Sequence, residues 1–225
     1  FPYDFLVVCH REIFNNRYLL IMKRLVIAVF ASILAAISMA ETPAERLFLR
    51  LKALQEKGVM FGQQDSPFYG FSWTNIGKEG IVCPDKNDVK DVCGDLPAVM
   101  GFDLGGLEYF SLKNIDGVPF DYERAEIVKH YERGGIITLS WPPLNPANNE
   151  NAWNTKGNPV EKILPGGVLN GKFNAWLDEL VGFIKSLKDS KGNAIPLIFR
   201  PWHEMNGGWF WWGKDSCTPE QYRQL

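Results

Sequence analysis

The chain has 225 residues, a formal net charge of −2 and 46% hydrophobic residues, and 13% of its residues are aromatic. This composition supports a sizeable core and excludes a disordered segment. The lysines and arginines are scattered and form no basic stripe, so we expect no nucleic-acid partner.

The N-terminal region predicts export. Residues 1–21 precede the first methionine and are interpreted as non-native upstream translation, whereas residues 22–40 have the pattern of a signal peptide. Its apolar run, Leu25–Ile37, is too short to cross about 30 Å of hydrocarbon as a helix. We therefore expect cleavage after Ala40, no stable membrane insertion afterwards, and a secreted or periplasmic mature chain, 41–225.

Three cysteines remain in the predicted mature chain, and export permits disulfides. Cys83 and Cys93 enclose a short polar loop, and Cys93 and Cys217 are a second possible pair. Free thiols are the third alternative. Sequence does not fix the distances between these residues, so the choice stays open.

The mature chain opens with a capped helix. Thr42–Glu45 supplies an N-cap, a proline at the first helical position and a capping-box glutamate, and Gly58 is expected to end the helix. Two short apolar segments then predict buried strands at Val59–Gly62 and Pro97–Asp103.

The remaining elements alternate in type. In chain order they are a helix at Phe120–Arg133, a strand at Ile136–Trp141, a long polar loop at 142–171, a helix at Phe173–Leu187, a strand at Ile195–Arg200 and a capped helix from Thr218. Strands that alternate with helices indicate parallel β/α units with a sheet buried on both faces. The sequence therefore predicts an α/β fold with four such units, whose chemistry lies beyond the C-terminal ends of the strands.

The segment Arg200–Gly213 contains one glutamate, one histidine and four of the eight tryptophans. Cleavage of a glycosidic bond needs a proton donor and a second carboxylate. We predict that Glu204 is the donor, because neighbouring indoles desolvate a carboxyl and favour its protonated form. The structural alternative is that Glu204 lies under an aromatic core cluster and forms an ion pair with Arg200 or with a lysine.

Tryptophan rings offer broad faces that stack on sugars, so exposed tryptophans near Glu204 predict a sugar groove. The groove could be extended by three more tryptophans on predicted loops or at the strand end that leads into one, namely Trp73, Trp141 and Trp153. His203 shares the mature chain only with His130, interpreted as a solvated helix residue, which argues against a multi-histidine zinc site. No Gly-x-Ser-x-Gly motif supports a serine esterase.

Three further acidic residues follow the first two predicted strands. Asp103 and Glu108 flank a Gly-Gly pair, and Asp65 follows the first strand. Carboxylates at such positions either contact substrate or accept hydrogen bonds from loop backbone. We favour the loop-binding interpretation for all three.

The segment Arg200–Gly213 resembles the acid/base signature of glycoside hydrolase family 26, best known for endo-β-1,4-mannanases. The resemblance extends over Gly62–Gln64, Gly101–Gly106 and Thr138–Trp141, and so over most of 42–225. It implies a (β/α)8 TIM barrel of the retaining-glycosidase clan, with the acid/base after strand four and the nucleophile after strand seven. The chain would then contain about the first four β/α units of that barrel.

Carried onto this sequence, the resemblance makes Glu204 the acid/base, His203 a residue that contacts the sugar at the cleaved position, and Trp209 an aromatic wall of the site. The nucleophilic glutamate has no counterpart in this chain. Similar proteins often have a histidine where this chain has Pro142-Pro143, which leaves the sugar specificity open.

The sequence thus predicts part of a retaining endo-β-1,4-mannanase acting on galactomannan or glucomannan, with no metal or organic cofactor. Residues 41–225 would be the N-terminal half of the catalytic barrel and inactive alone. The alternatives are a non-catalytic glycan-binding protein, a β-glucanase or β-xylanase of the same family, and an esterase on the same scaffold.

Overall fold

The computed structural model describes residues 22–27, 41–77, 80–81 and 85–225. The chain divides into two compact units, Phe1–Arg46 and Leu47–Leu225. Of the predicted signal peptide only 22–27 is described, and it is helical. The predictions for 1–21, for cleavage after Ala40 and for Cys83 lie outside the described residues.

Four of the strands form one parallel sheet. In chain order the strands are β1 (Gly62–Gln64), β2 (Tyr69–Gly70), β3 (Trp73–Thr74), β4 (Ile76–Gly77), β5 (Gly80–Ile81), β6 (Val99–Asp103), β7 (Ile136–Trp141) and β8 (Ile198–Pro201). The parallel sheet has the order β1-β6-β7-β8, whereas β2 with β3 and β4 with β5 form two-stranded antiparallel pairs. The predicted parallel β/α class is therefore confirmed.

Helices precede, connect and follow these strands. They are α1 (Pro43–Gln55), α2 (Asp88–Cys93), α3 (Phe120–Glu132), α4 (Pro159–Ile163), α5 (Asn170–Ser186) and α6 (Pro219–Gln224), with a 3-10 turn at Leu107–Tyr109. The capping predicted at Thr218 is present, because its hydroxyl accepts from the Gln221 backbone and Gln221 bonds back to the Thr218 backbone. The loop predicted over 142–171 contains the short helix α4.

The core lies between the sheet and the helices. Its strand residues include Met100 and Phe102 of β6 and Ile137 and Leu139 of β7, all 0–1% exposed. From the helices, Ile127 of α3 and an aromatic group on α5 pack into the same cluster. β7 is buried along nearly its whole length, as expected for a strand inside a parallel sheet.

The first predicted strand is wrong in extent and burial. Pairing begins only at Gly62, which aligns with Val99 of β6. Val59 is 101% exposed and Phe61 is 63% exposed. β1 lies at an edge of the sheet with β6 as its single neighbour, so apolar composition alone did not place these side chains in the core. The fourth strand also starts later than predicted, at Ile198.

The prediction of a solvated His130 is wrong. This side chain is 1% exposed on α3, and a Cβ at Gly135 would overlap its ring. Burial, reinforced by the charge of Arg133, lowers the pKa of His130 to about 4. The helix therefore turns this histidine toward the sheet, where it is neutral.

The structure also bears on the predicted disulfides and on membrane insertion. Cys93 is exposed and Cys217 is partly buried, and neither forms a disulfide with a described residue, so the Cys93–Cys217 pair is not formed in this structure. Across the described ranges, no helix is both long and apolar enough to traverse a bilayer.

Candidate active site

Glu204 lies just beyond the C-terminal end of β8. Trp202 and Glu204 both have left-handed backbone conformations, with φ of +49° and +54°. Non-glycine residues pay roughly 1–3 kcal/mol each in such sparsely populated regions, and surrounding structure must hold them there. The chain therefore turns sharply on either side of His203 as it leaves the sheet.

An indole holds the carboxylate of Glu204. Trp209 Nε1 donates to Glu204 Oε2 at 2.9 Å, and Gly207 N donates to the Glu204 carbonyl at 2.9 Å. A Cβ at Gly207 would overlap the Trp209 ring, so the indole lies directly against the backbone of this turn. The position of Trp209 therefore depends on the absence of a side chain at 207.

Glu204 is exposed, contrary to the prediction that indoles dry it. Trp211 and Trp212 are fully buried and Trp202 is 8% exposed, so three of the four tryptophans pack inward. Only Trp209, which is 50% exposed, reaches the surface. The aromatic run is thus mainly a support for the loop.

Hydrogen bonds fix this support to the rest of the protein. Trp211 Nε1 donates to the Pro143 carbonyl at 3.0 Å, and Trp212 Nε1 donates to the His203 carbonyl at 2.8 Å. Phe210 stacks on Trp212 at 4.5 Å with an interplanar angle of 13°. The loop that carries Glu204 is therefore connected both to itself and to the loop after β7.

His203 lies between two aromatic rings, 5.2 Å from Phe210 and 5.7 Å from Trp212. Burial and the charge of Arg200 lower its pKa, while Glu204 acts in the opposite direction. Its Nδ1 is buried and has no hydrogen-bond partner among the described residues. A neutral imidazole with spare hydrogen-bonding capacity suits contact with a sugar hydroxyl.

The structure brings Trp153 and Trp209 onto a common support. Trp153 is 58% exposed and packs 5.3 Å from Phe210, while Trp209 lies 6.5 Å from the same ring. Asn145 holds the Trp153 loop by donating to the carbonyls of Asn154 and Lys156 at 2.6 and 2.9 Å. Trp153, Phe210 and Trp209 form what we call the aromatic shelf, which Trp209 connects to Glu204.

The predicted sugar contact at Trp141 is wrong in this structure. Trp141 is 0% exposed and packs 5.6 Å from Trp202. Its Nε1 donates to Glu108 Oε2 at 3.2 Å. Trp141 is the last residue of β7, a strand that is buried along nearly its whole length. Its side chain therefore lies in the core beneath the site.

The loop-binding interpretation of the acidic residues is confirmed for two of them. Asp103 accepts from Gly105 N at 2.8 Å. Glu108 accepts from Gly106 N and Leu144 N, each at 2.9 Å. Asp65, 3% exposed, accepts instead from the Tyr69 hydroxyl at 3.0 Å.

Sequence reasoning missed Phe210 and Glu123. Phe210 supports the aromatic shelf, yet a phenylalanine among tryptophans carries no separate signal. Glu123 is 0% exposed on α3. Its helical spacing to Phe120 and Ile127, both buried, is a signal that would have placed it on the inward face.

The chain matches the model of Glycosyl hydrolase family 26 over residues 37–225. It is 33% identical to a mannan endo-1,4-beta-mannosidase of Bifidobacterium adolescentis over 83% of this chain and 18% of that protein. A second relative of that name, from Bacillus subtilis strain 168, is 30% identical over 61% of this chain and 39% of its own length.

Solved structures agree with this relationship. A GH26 beta-mannanase from Bacteroides ovatus is 41% identical with a TM-score of 0.74, covering 81% of this chain and 52% of that one. The catalytic domain of an endo-beta-1,4-mannanase from Bacillus sp. JAMB-750 is 36% identical with a TM-score of 0.70, covering 83% and 48%.

The chain thus spans about half the length of these two solved relatives and less of the curated ones. The family model nevertheless covers most of its residues, including all of the sheet and the Glu204 loop. This protein belongs to glycosyl hydrolase family 26.

Proposed function

We propose that this chain is the N-terminal half of the catalytic barrel of a retaining endo-β-1,4-mannanase, with Glu204 as its general acid/base. One observation carries the proposal: an exposed carboxylate at a strand end is hydrogen-bonded by a half-exposed tryptophan that shares the aromatic shelf with Trp153. The names of the relatives favour mannan as the substrate.

In this mechanism a nucleophilic carboxylate attacks the anomeric carbon while Glu204 protonates the departing glycosidic oxygen. The resulting glycosyl-enzyme is then hydrolysed by a water that gives its proton to Glu204. The Trp209 N–H bond supports the second step, because it orients the side chain of Glu204.

We also propose that the nucleophile and the remaining strands come from sequence outside these 225 residues. Such barrels have about 250 residues, and retaining enzymes place the two carboxyl groups about 5–5.5 Å apart. The coverage of 52% and 48% of the solved relatives supports this proposal. This chain alone would be inactive, and two open sheet edges would favour its aggregation.

Export of the mature protein, which would start at residue 41, is a further part of the proposal. It rests on the sequence pattern over 22–40. N-terminal sequencing of the protein recovered from the periplasm or medium should begin at Glu41. Recovery of the uncleaved protein in the cytoplasm would contradict it.

Glu204→Ala in the complete protein tests the catalytic assignment. It should lower mannan hydrolysis by about 10²- to 10⁴-fold, while substrates whose leaving groups need no protonation lose less. Glu220→Gln on α6 is the matched control, since among the described residues this exposed carboxylate forms an ion pair with Arg223 alone. Unchanged mannan turnover in Glu204→Ala would reject the assignment.

The same assay separates the alternatives when several polymers are compared. Faster cleavage of a β-glucan or β-xylan than of mannan would favour the other activities of the family. Tight glycan binding without turnover by the complete wild-type protein would favour the binding protein. Release of acyl groups would favour the esterase.

A further inference from the structure

Two buried carboxyl groups and a partly buried one lie near the C-terminal ends of β1 and β6. They are Asp65 after β1, Asp103 at the end of β6 and Glu123 on α3, and we call them the acidic cluster. Asp65 is 3% exposed and Glu123 is 0% exposed. Three elements of the fold therefore meet through acidic side chains.

Asn114 connects this cluster to the loop between β6 and α3. Its Nδ2 donates to the Asp103 carbonyl at 3.3 Å and to Glu123 Oε2 at 3.4 Å. Its Oδ1 accepts from the backbone N–H groups of Asp116 and Val118 at 3.0 and 2.9 Å. Loop 104–118 therefore contacts the carboxyl groups of the cluster at two points, through Asn114 at Glu123 and through Gly105 N at Asp103.

No basic side chain in the described ranges forms an ion pair with the cluster. The nearest arginine in sequence, Arg124, bonds to Asp121 and Ser186 instead. Asp65 Oδ1 and Glu123 Oε1 are buried and have no hydrogen-bond partner among the residues that the structure describes. Burial without a counter-charge disfavours the ionised form of these groups. At Asp103 the bond that Oδ1 accepts from Gly105 N, at 2.8 Å, acts in the opposite direction but is outweighed by burial.

The geometry of the acidic cluster favours neutralisation by protons over binding of a metal ion. Among the described residues, no group of three acidic, histidine or cysteine side chains is arranged to hold a metal ion. Ser140 Oγ lies within donating distance of Asp103 Oδ2, at 3.2 Å, and of the Phe102 carbonyl, at 3.3 Å. Its single proton serves one of them at a time, so a proton on Asp103 Oδ2 would point at Ser140 Oγ and leave the hydroxyl to donate to Phe102. Protonation thus removes the buried negative charge that the surroundings do not compensate.

Burial is the largest cause of the shifts in this cluster. It raises the pKa of Asp65 to about 6 and that of Asp103 to about 7. Burial also raises the pKa of Glu123, and the negative charges of the other two carboxyls add to this effect. All three groups hold their protons into a pH range where exposed carboxyls have lost them.

We propose that the acidic cluster is a pH-sensitive latch, which holds loop 104–118 against β6 and α3 while it is protonated and loosens the loop when it ionises. The latch acts on structure and stability, so it does not depend on the glycosidase activity proposed above. It operates near neutral pH because negative charge then accumulates on groups that have no ion-pair partner among the described residues.

The surrounding titratable groups add to the same response. Tyr69 on β2 bonds to both Asp65 and Asp116, and Asp116 adds a negative charge to the neighbourhood. The positive charge of Arg124 on α3 acts to lower the pKa of Glu123, but it is the smallest of the contributions. Ser140 and Gln64, which face the cluster from β7 and β1, carry no charge.

The direction of the pH effect is set by proton binding. Folded Asp65 and Asp103 bind protons more tightly than the unfolded chain, in which aspartates ionise near pH 4. The free energy of unfolding therefore decreases as pH rises from about 4 to about 7, and it levels off above the folded values. Neutralising variants should remove this decrease.

The test compares wild type with Asp103→Asn and Glu123→Gln in the complete protein. The wild-type melting temperature should fall by about 5 °C or more between about pH 5 and pH 8, and each variant should reduce that fall. Hydrogen exchange in loop 104–118 should accelerate over the same range in wild type, beyond the intrinsic rise of exchange with pH. Asp178→Asn, a position on α5 outside the cluster, is the control and should keep the wild-type pH dependence.

Infrared spectroscopy of the wild type keeps the proposal testable if a variant fails to fold. The carbonyl band of protonated carboxylic acids should be present at about pH 5 and should weaken as Asp65 and Asp103 ionise toward about pH 9. Absence of that band at pH 5, or loop protection and melting that do not change with pH, would overturn the proposal.

Discussion

The indole N–H of Trp209 and Oε2 of Glu204 are 2.9 Å apart, so a residue five positions away orients the proposed acid/base. The contact is possible because the chain turns tightly at Glu204 and has no side chain at Gly207. A hydrogen bond to a charged acceptor contributes about 1.5–3 kcal/mol, which is enough to affect a rate measurably.

Trp209→Phe keeps a smaller aromatic ring and removes the N–H that donates to Glu204. We expect kcat on mannan to fall about 10- to 100-fold, because the carboxylate loses its orienting bond. Trp153→Phe provides the comparison, since no hydrogen bond connects Trp153 Nε1 to Glu204 within the described structure. Equal effects of the two substitutions on kcat would show that the N–H bond is unimportant.

Trp153→Ala tests the aromatic shelf as a binding surface. The side chain is 58% exposed and makes no hydrogen bond to Glu204, so its loss should raise KM roughly tenfold with a smaller change in kcat. Steady-state kinetics on mannan of defined length measure both constants. An unchanged KM would mean that the sugar does not reach this tryptophan.

Trp141→Phe tests the corrected role of a residue that sequence had placed in the groove. Because Trp141 is fully buried and donates to Glu108, the variant should lower the free energy of unfolding by about 1–3 kcal/mol. Urea denaturation measures this loss. Normal stability combined with a raised KM would restore the sugar-contact interpretation.

Gly207→Ala tests the close approach of the indole. The added methyl group would overlap Trp209, so the indole must move and the bond to Glu204 should lengthen or break. We expect a kcat loss similar to that of Trp209→Phe. Gly182→Ala on α5 is the control, because a methyl group added there would meet no neighbouring side chain within 4 Å. It should stabilise the helix by about 0.5–1 kcal/mol without changing kcat. Unaltered kcat in Gly207→Ala would show that Trp209 is not held by this contact.

Sequence by itself determined the class of the fold and the neighbourhood of the site. Periodicity and caps placed α3, β7 and α5 within a few residues, because the hydrophobic period and the helix-end signals are local properties. The motif Arg200–Gly213 pointed to Glu204 and to the family, and the family match confirmed the second. These features depend on which residues lie near one another along the chain.

Only the tertiary structure decided which side chains face inward. Four tryptophans in one segment look equivalent in sequence, yet Trp211 and Trp212 are buried and Trp209 is half exposed. Burial depends on the strands and loops that pack against each ring, and those neighbours are distant in sequence. The same reason explains why Glu123 and His130, polar residues on a helix, were found in the core, and why the first strand's apolar residues were found at an exposed edge.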